Sequence, residues 1–377
     1  MKRFRTLAIL LLATACESPS ATPDPEPSAH VAGGATVVRA GQSIQAAINA
    51  TTSGGVIRVE PGIYREALIV DKPGLRIVGL GGDGHHGVVI QNPGSVDDGI
   101  TVTHNAAGFA LENVTVRDFI DNGVLLNGVD KFLLSRVTAI SNGEYGLFPV
   151  SSSHGVIERC TATGHSDAGI YVGQSTDIEV RRSTATGNVL GIEIENSSRV
   201  SVLDNESTDN VVGVMVVLLP GLTVKTSEGV RVRRNRVHDN NRPNFGTPGE
   251  LESFVPTGSG ILVVGVDRAV IDDNVVTGNH FVGIGLGSSL ILGALAGLPP
   301  EAFADIEPNP DGVRITNNRA TGNGGISSIP FLPAVDLLWD GSGTEDCWLA
   351  NRFGTLVPDP LPACRRERSW DSWGAPR

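Results

Sequence analysis

The sequence predicts an all-β chain: a single-stranded solenoid, wound as a parallel β-helix, with a helix over its first coil. Three observations carry this. A glycine followed by an apolar-x-apolar triplet recurs at Gly99, Gly123, Gly146, Gly169, Gly191, Gly213, Gly260 and Gly283. Successive starts lie 24, 23, 23, 22, 22, 47 and 23 residues apart, and the 47 is close to two periods. Each period also holds a second alternating stretch, such as FLLSRVTA, GVIERCTA, IEVRRSTA or VRITNNRA, followed by a turn with a recurring amide. Alternation means that one side of each strand is buried. Strands this short cannot close a core within one repeat, whereas coils stacked about 4.8 Å apart can. The Leu-x-x-Leu-x-Leu spacing of a leucine-rich repeat is missing, and a β-propeller needs a longer period.

The elements follow in order. MKRFRTLAILLLATAC has a basic start and an apolar run, Leu7 to Leu12, too short to span a bilayer, so residues 1–16 read as an export signal. Leu12-Ala13-Thr14-Ala15-Cys16 resembles a bacterial lipobox, which implies lipidation of Cys16 and a place at the outer membrane, the cell surface or the periplasm. An ordinary cleaved signal is the alternative. Residues 17–35 are rich in Pro, Ser and Ala and read as a solvated tether. Ser43 to Ala50, SIQAAINA, has the pattern of an amphipathic helix that would cover the first coil and block edge-to-edge pairing. The β-helix is expected over 36–330, with 331–377 as a C-terminal cap or tail. Cys347 and Cys364 in that tail suit a disulfide in an exported chain. Cys160 falls on an inward column and reads as a buried thiol.

Inside the coils, Asn142, Asn188, Asn210, Asn240, Asn279 and Asn323 form an amide column, with His165 in one rung. A second column runs through Asn205, Asn235, Asn274 and Asn318, in phase with Val114, Val137 and Cys160. Stacked amides can hydrogen-bond along the stack.

The net charge is −12 at pH 7, which disfavours nucleic acid as a partner. With only 2 Met and no His/Cys cluster, a soft-metal role is disfavoured too. His85 and His86 are adjacent, so in an extended chain they point apart and make a poor ligand pair.

Candidate chemistry lies on the outward columns. If the glycine and the second residue after it face out, Thr101, Leu125, Phe148, Tyr171, Glu193, Met215, Leu262 and Gly285 form one stripe. Its apolar and aromatic members could bind sugar rings, with Phe148, Tyr171, Tyr145, His165 and Met215 as ligand contacts. Alternatively, the insertions at 217–229 and 238–259 cover it as secondary core. Asp97, Asp121, Glu144 and Asp167 stand two residues before their glycines. Such an acidic ladder could be solvated, paired with bases, or bridged by calcium, the one cofactor the sequence suggests. Glu193 and Glu195 face the same way, and with Tyr171 and Asp167 they form a candidate catalytic group for glycoside hydrolysis. Solvated outward charges would look the same. Arg136, Arg159 and Arg182 stack at another corner, where guanidiniums could satisfy carbonyls.

Residues 36 to about 325, with the opening QAAIN…VEPGIY, resemble the right-handed parallel β-helix superfamily of pectate lyases, polygalacturonases and alginate epimerases. SDAGIYVGQS…VRRSTATGNVLGIEIENS, CWLANRF and LPAC resemble a subgroup of exported bacterial β-helix repeat proteins. The resemblance implies a right-handed coil and a carbohydrate polymer as partner, by binding or by modification. It does not supply a catalytic set. The alginate epimerase frame Tyr-Gly-apolar-Asp-Pro-His appears as Tyr145-Gly146-Leu147-Phe148-Pro149-Val150, without its Asp and His. The pectate lyase arginine motif and the polygalacturonase Asp set have no counterpart. The expectation is therefore a lipid-anchored protein that recognises a glycan, held to the membrane by its anchor alone. A non-catalytic binder, or a lyase, epimerase or hydrolase with a non-standard site, are the alternatives.

Overall fold

The computed structural model describes residues 35–81 and 87–365. The export signal with Cys16, the tether up to Gly34, His85-His86 and the tail from 366 on lie outside the described residues.

Among the described residues the strands form two parallel sheets, one of 11 strands and one of 20 that turns a corner. A single coil shows how they are made. Ala168–Gly173 lies in the 11-stranded sheet, and a bridge at Thr176 leads to Glu179–Arg181 in the larger one. Arg182 then takes a left-handed conformation, φ 50°, and Thr184–Thr186 follows. A turn at Asn188 starts the next coil at Leu190–Glu195. Each residue pairs with its equivalent one coil on, as in Tyr171↔Glu193, Val180↔Val202 and Ala185↔Ser207. The left-handed corner recurs at Asn113, Arg136, Arg159, Asp204, Arg234, Asp273 and Asn317. Asn and Asp adopt this conformation most readily among residues with a Cβ. Next to this corner Arg181 pairs with Glu158, and at it Arg234 pairs with Asp204, both at 2.7 Å.

The helix Ile44–Ala50 covers the first coil, with Ile44, Ala47 and Ile48 in the core. Ser43 caps it by accepting from Ala46, and the Glu66 carboxylate accepts from the amides of Ile44 and Gln45. At the other end the pairing runs past the expected boundary at 330. Val335–Trp339, Cys347–Leu349 and Leu356–Val357 continue the sheets, and the Cys347–Cys364 disulfide ties down the last turn. The 47-residue spacing is one coil rather than two. Val212–Val217 pairs directly with Ser259–Val264, and the surplus leaves as excursions at 218–230 and 239–258.

The interior is mainly apolar and carries three polar ladders. In the first, the backbone and side-chain amides of Asn188 both donate to Asn210 Oδ1, at 2.9 and 3.1 Å. Asn210, Asn240 and Asn279 repeat the contact one coil on. Asn323 donates to Asp336, whose second oxygen accepts from Gly354 and Thr355 and ends the ladder. The second ladder passes from Cys160 through Ser183 and Asn205 to Asn351. Burial pushes the Cys160 thiol up to about 12, which keeps it protonated and inert. The third is a serine ladder, Ser152, Ser175 and Ser197, which the amide pattern does not reveal.

The first ladder explains the recurring glycine. A Cβ on Gly169 would lie 2.6 Å from Asn188 Nδ2, and one on Gly213 2.7 Å from Asn240 Nδ2. These glycines therefore turn towards the interior amides, not outward as simple alternation suggests. The residue before each, such as Ala168, Leu190 or Val212, takes the outward position instead.

Candidate functional site

The outward stripe of the 11-stranded sheet is continuous in register through Glu193, Met215, Leu262 and Gly285. It is open at one end only. Tyr171, Met215, Leu262 and Leu338 lie in a second hydrophobic cluster with Val255, Phe281, Leu292 and Ile329. Part of the cover is the 239–258 excursion and Leu219 of the 218–230 excursion, the two insertions that one reading of the sequence expected. The rest comes from the helix Ser289–Leu295 and the segment around Ile329, which that reading did not include. Met215 is 2 % exposed and is core, not a ligand contact. Tyr145 and Phe148 remain half-buried at the open end. Their rings stack at 4.2 Å, and Tyr171 meets them at 5.0 and 4.7 Å.

Beside this aromatic group sits a set of carboxylates. Glu193 follows Tyr171 in the column, and Glu195 follows Gly173. A Cβ on Gly173 would fall 2.0 Å from the Tyr171 hydroxyl, so the ring lies across that glycine, and its hydroxyl faces Glu195. Asp167 enters from the preceding turn, facing the Tyr145 hydroxyl, and Glu252 arrives on the one-turn helix Leu251–Phe254.

Burial dominates the chemistry of these acids. It holds Asp167 well above the usual carboxylate range, helped by the Glu252 charge and opposed by the Tyr145 hydroxyl. Glu193 is raised well above its usual value by burial, then by Asp167, Glu195 and Glu252. Burial lifts Glu195 to about 7 against the opposing Tyr171 hydroxyl, and lifts Glu252 to about 7 as well. Burial and the surrounding acids raise Tyr145 and Tyr171, so both phenols stay protonated and can donate. Asp167 Oδ1 is enclosed with no hydrogen-bond partner. Every charged group acting on Glu193 is itself an acid.

Two further expectations change, and two residues join the site. His165 is fully buried as a rung of the amide ladder, with Nδ1 2.8 Å from Asn188 Oδ1 and Nε2 3.3 Å from Asn142 Nδ2. These contacts fit a neutral ring that donates from Nδ1 and accepts at Nε2. Burial pushes its pKa down to about 4, and it contacts no ligand site. Asp97, Asp121, Glu144 and Asp167 stack through backbone bonds, Asp121 N to Asp97 O and onward. Among the described residues, however, no group of three or more such side chains is placed to hold a metal ion. Finally, Glu252 and Gly173 belong to the site, although the repeat singled out neither. Glu252 lies in an aperiodic excursion. A glycine two residues after an outward tyrosine was the only signal for Gly173.

The model of the family described as "Right handed beta helix region" matches residues 87–242 and 122–291. The chain belongs to this family. No curated protein matches this β-helix chain. Among solved structures it is similar to the A-modules of two mannuronan C-5 epimerases of Azotobacter vinelandii. The AlgE4 module is 17 % identical, TM-score 0.57, covering 82 % of this chain and 90 % of the module. The AlgE6 module is 16 % identical, TM-score 0.56, covering 85 % and 93 %. A DFA-IIIase of Arthrobacter chlorophenolicus is 12 % identical, TM-score 0.51, covering 82 % and 89 %. At these identities the likeness is one of fold.

Proposed function

We propose that the open end of the stripe binds a carbohydrate polymer and that its carboxylates hydrolyse a glycosidic bond. One observation carries this: carboxylates that burial raises, Glu195 to about 7 and Glu193 well above its usual value, stand directly beside a half-open aromatic platform. Sugar rings would rest on Tyr145 and Phe148. Glu195, near half-protonated at neutral pH, is suited to donate a proton to a leaving oxygen. The bond to that oxygen breaks, a water adds to the anomeric carbon and gives its proton back to Glu195, and the positive charge developing on the sugar draws a proton off Glu193 or Asp167, whose carboxylate then stabilises it. The similar epimerase and DFA-IIIase folds are consistent with sugar chemistry but do not assign it.

Lyase or epimerase chemistry fits less well. Both take a proton from beside a sugar carboxylate and need a positive group to hold the resulting charge. The neighbours of Glu193 are all acidic, and the Asp and His of the epimerase frame are missing. A second reading, binding without turnover, is favoured by the depth of Glu193, which is only 5 % exposed.

The test is a panel of neutral and acidic polysaccharides assayed for new reducing ends. Wild type should release them, and Glu195→Gln should lose at least tenfold. Binding lost in Phe148→Ala, with no turnover by wild type, selects the second reading. Neither binding nor turnover on any glycan sinks both. We also propose that the lipobox places the domain outside the cytoplasm, anchored through Cys16. Mass spectrometry showing an unlipidated N-terminus would refute the anchor.

A further inference from the structure

A carbohydrate site usually matches its charges to its sugar. Here the set is one-sided. Glu193 and Glu195 on one strand, Asp167 and Glu144 on the incoming turns, and Glu252 with Glu250 on the covering excursion are all acids. Tyr145 and Tyr171 are the other titratable groups among them. Glu193 is 95 % buried (5 % exposed), faces Asp167, Glu195 and Glu252, and shows no hydrogen bond or ion pair of its own. Asp167 Oδ1, likewise enclosed, has no partner. Buried carboxylates without partners are costly, so such groups call for an explanation. An independent feature lies beside them. Tyr145, Phe148 and Tyr171 present three rings within 5.0 Å of one another, and ring faces attract cations.

Resting on the carbohydrate reading above, we infer that the sugar this site selects carries a free, protonated amine: its ligand is a cationic amino-sugar oligomer, not a neutral, N-acylated or uronic one. The ammonium donates to Asp167 and Glu193 and lies against the aromatic rings. A uronate would bring another negative charge into an all-acid pocket. An acetamide would leave the carboxylates unpaired. Burial raises Glu193 and Asp167 and so favours their protonated forms, and an arriving cation favours their charged form. Binding therefore releases protons, and affinity weakens as the pH falls and protons compete for the same oxygens.

The test compares three oligomers of equal length by calorimetry: a β-linked glucosamine pentamer with free amines, its fully N-acetylated counterpart, and a uronate pentamer. The free-amine oligomer should bind at least tenfold tighter than the N-acetylated one. An indicator dye in weakly buffered solution should report protons released on mixing at pH 6. Glu193→Gln and Asp167→Asn should each lose the amine preference by about tenfold while N-acetyl binding changes less than twofold. Should either variant misfold, the wild-type proton release and amine preference still decide the matter. Equal or tighter binding of the N-acetylated or uronate oligomer, or binding without proton release, overturns the amine specificity and leaves the carbohydrate site standing. If no oligomer of any class binds, the carbohydrate reading falls, and the amine inference with it.

Discussion

Two sets of polar groups are stacked one per coil in this molecule, and they differ in one respect. Inside, Asn188, Asn210, Asn240 and Asn279 give their amide protons to the next rung and accept from the one before. Outside, beside the 239–258 excursion, Glu193 is buried among other acids with no hydrogen bond of its own, and half-buried Asp167 keeps one oxygen enclosed without a partner. A buried polar group with its partners in place stabilises the fold, and one without them weakens it. The interior ladder is thus architecture. The outer carboxylates cost stability that the fold alone does not need, and that marks them as a site.

Substitutions on either side can break this contrast. The largest effect is expected within the ladder. Asn210→Leu removes the acceptor for both Asn188 donors and should destabilise by about 3 kcal/mol or more, read from the urea midpoint. A loss below about 1 kcal/mol would mean that the ladder is not a structural necessity.

His165 sharpens the same point through pH. Its folded pKa lies near 4, against an ordinary 6.5, so the unfolded chain binds the extra proton between those values. The His165 environment is fully stabilising above pH 6.5 and loses about 3 kcal/mol as the pH falls through 4. His165→Asn, which restores an amide rung, should remove that acid-side loss. Identical pH–stability curves for variant and wild type would place the imidazole in contact with solvent.

The outer face should behave in the opposite sense. The folded pKa of Glu195 is raised to about 7, so its stabilisation is complete below the unfolded value of 4.5 and is lost as the pH rises through 7. Glu195→Gln should therefore stabilise by about 2 kcal/mol at pH 8, with the gain fading toward pH 4. A variant less stable than wild type at pH 8 would show that the Tyr171 hydroxyl outweighs the cost of burying Glu195.

The smallest effect on stability belongs to Gly173→Ala. The new methyl pushes the Tyr171 ring off its glycine and should cost about 1 kcal/mol, because the ring can move. Glycan binding should nevertheless weaken about tenfold. Unchanged affinity would remove Tyr171 from the site.

The repeat made most of the fold legible. Gly169, the apolar triplet behind it and Asn188 recur at one period because each must meet its equivalent in the next coil, and that demand is written into adjacent residues. The amide ladders could be read for the same reason, and so could Cys160 on its inward column. The direction of Gly169 could not. Alternation alone points it outward, and only the Asn188 side chain packed against it shows that it faces in. His165 was legible as a rung of the column, but its place among the ionisable groups of one turn also suggested a ligand contact, which three-dimensional packing removes.

By itself, the sequence determined the coil: its period, its inward columns and the parallel stacking that follows from them, since these depend on neighbours one repeat away. Only the tertiary structure decided which part of the outward stripe meets solvent. The Val255 and Glu252 excursion, the helix Ser289–Leu295 and the segment around Ile329 fold back over it from well along the chain. Those segments carry no period, so nothing local records where they land. Yet where they land is what buries Met215, leaves Tyr145 and Phe148 at an opening, and withdraws water from Glu193 and Glu195.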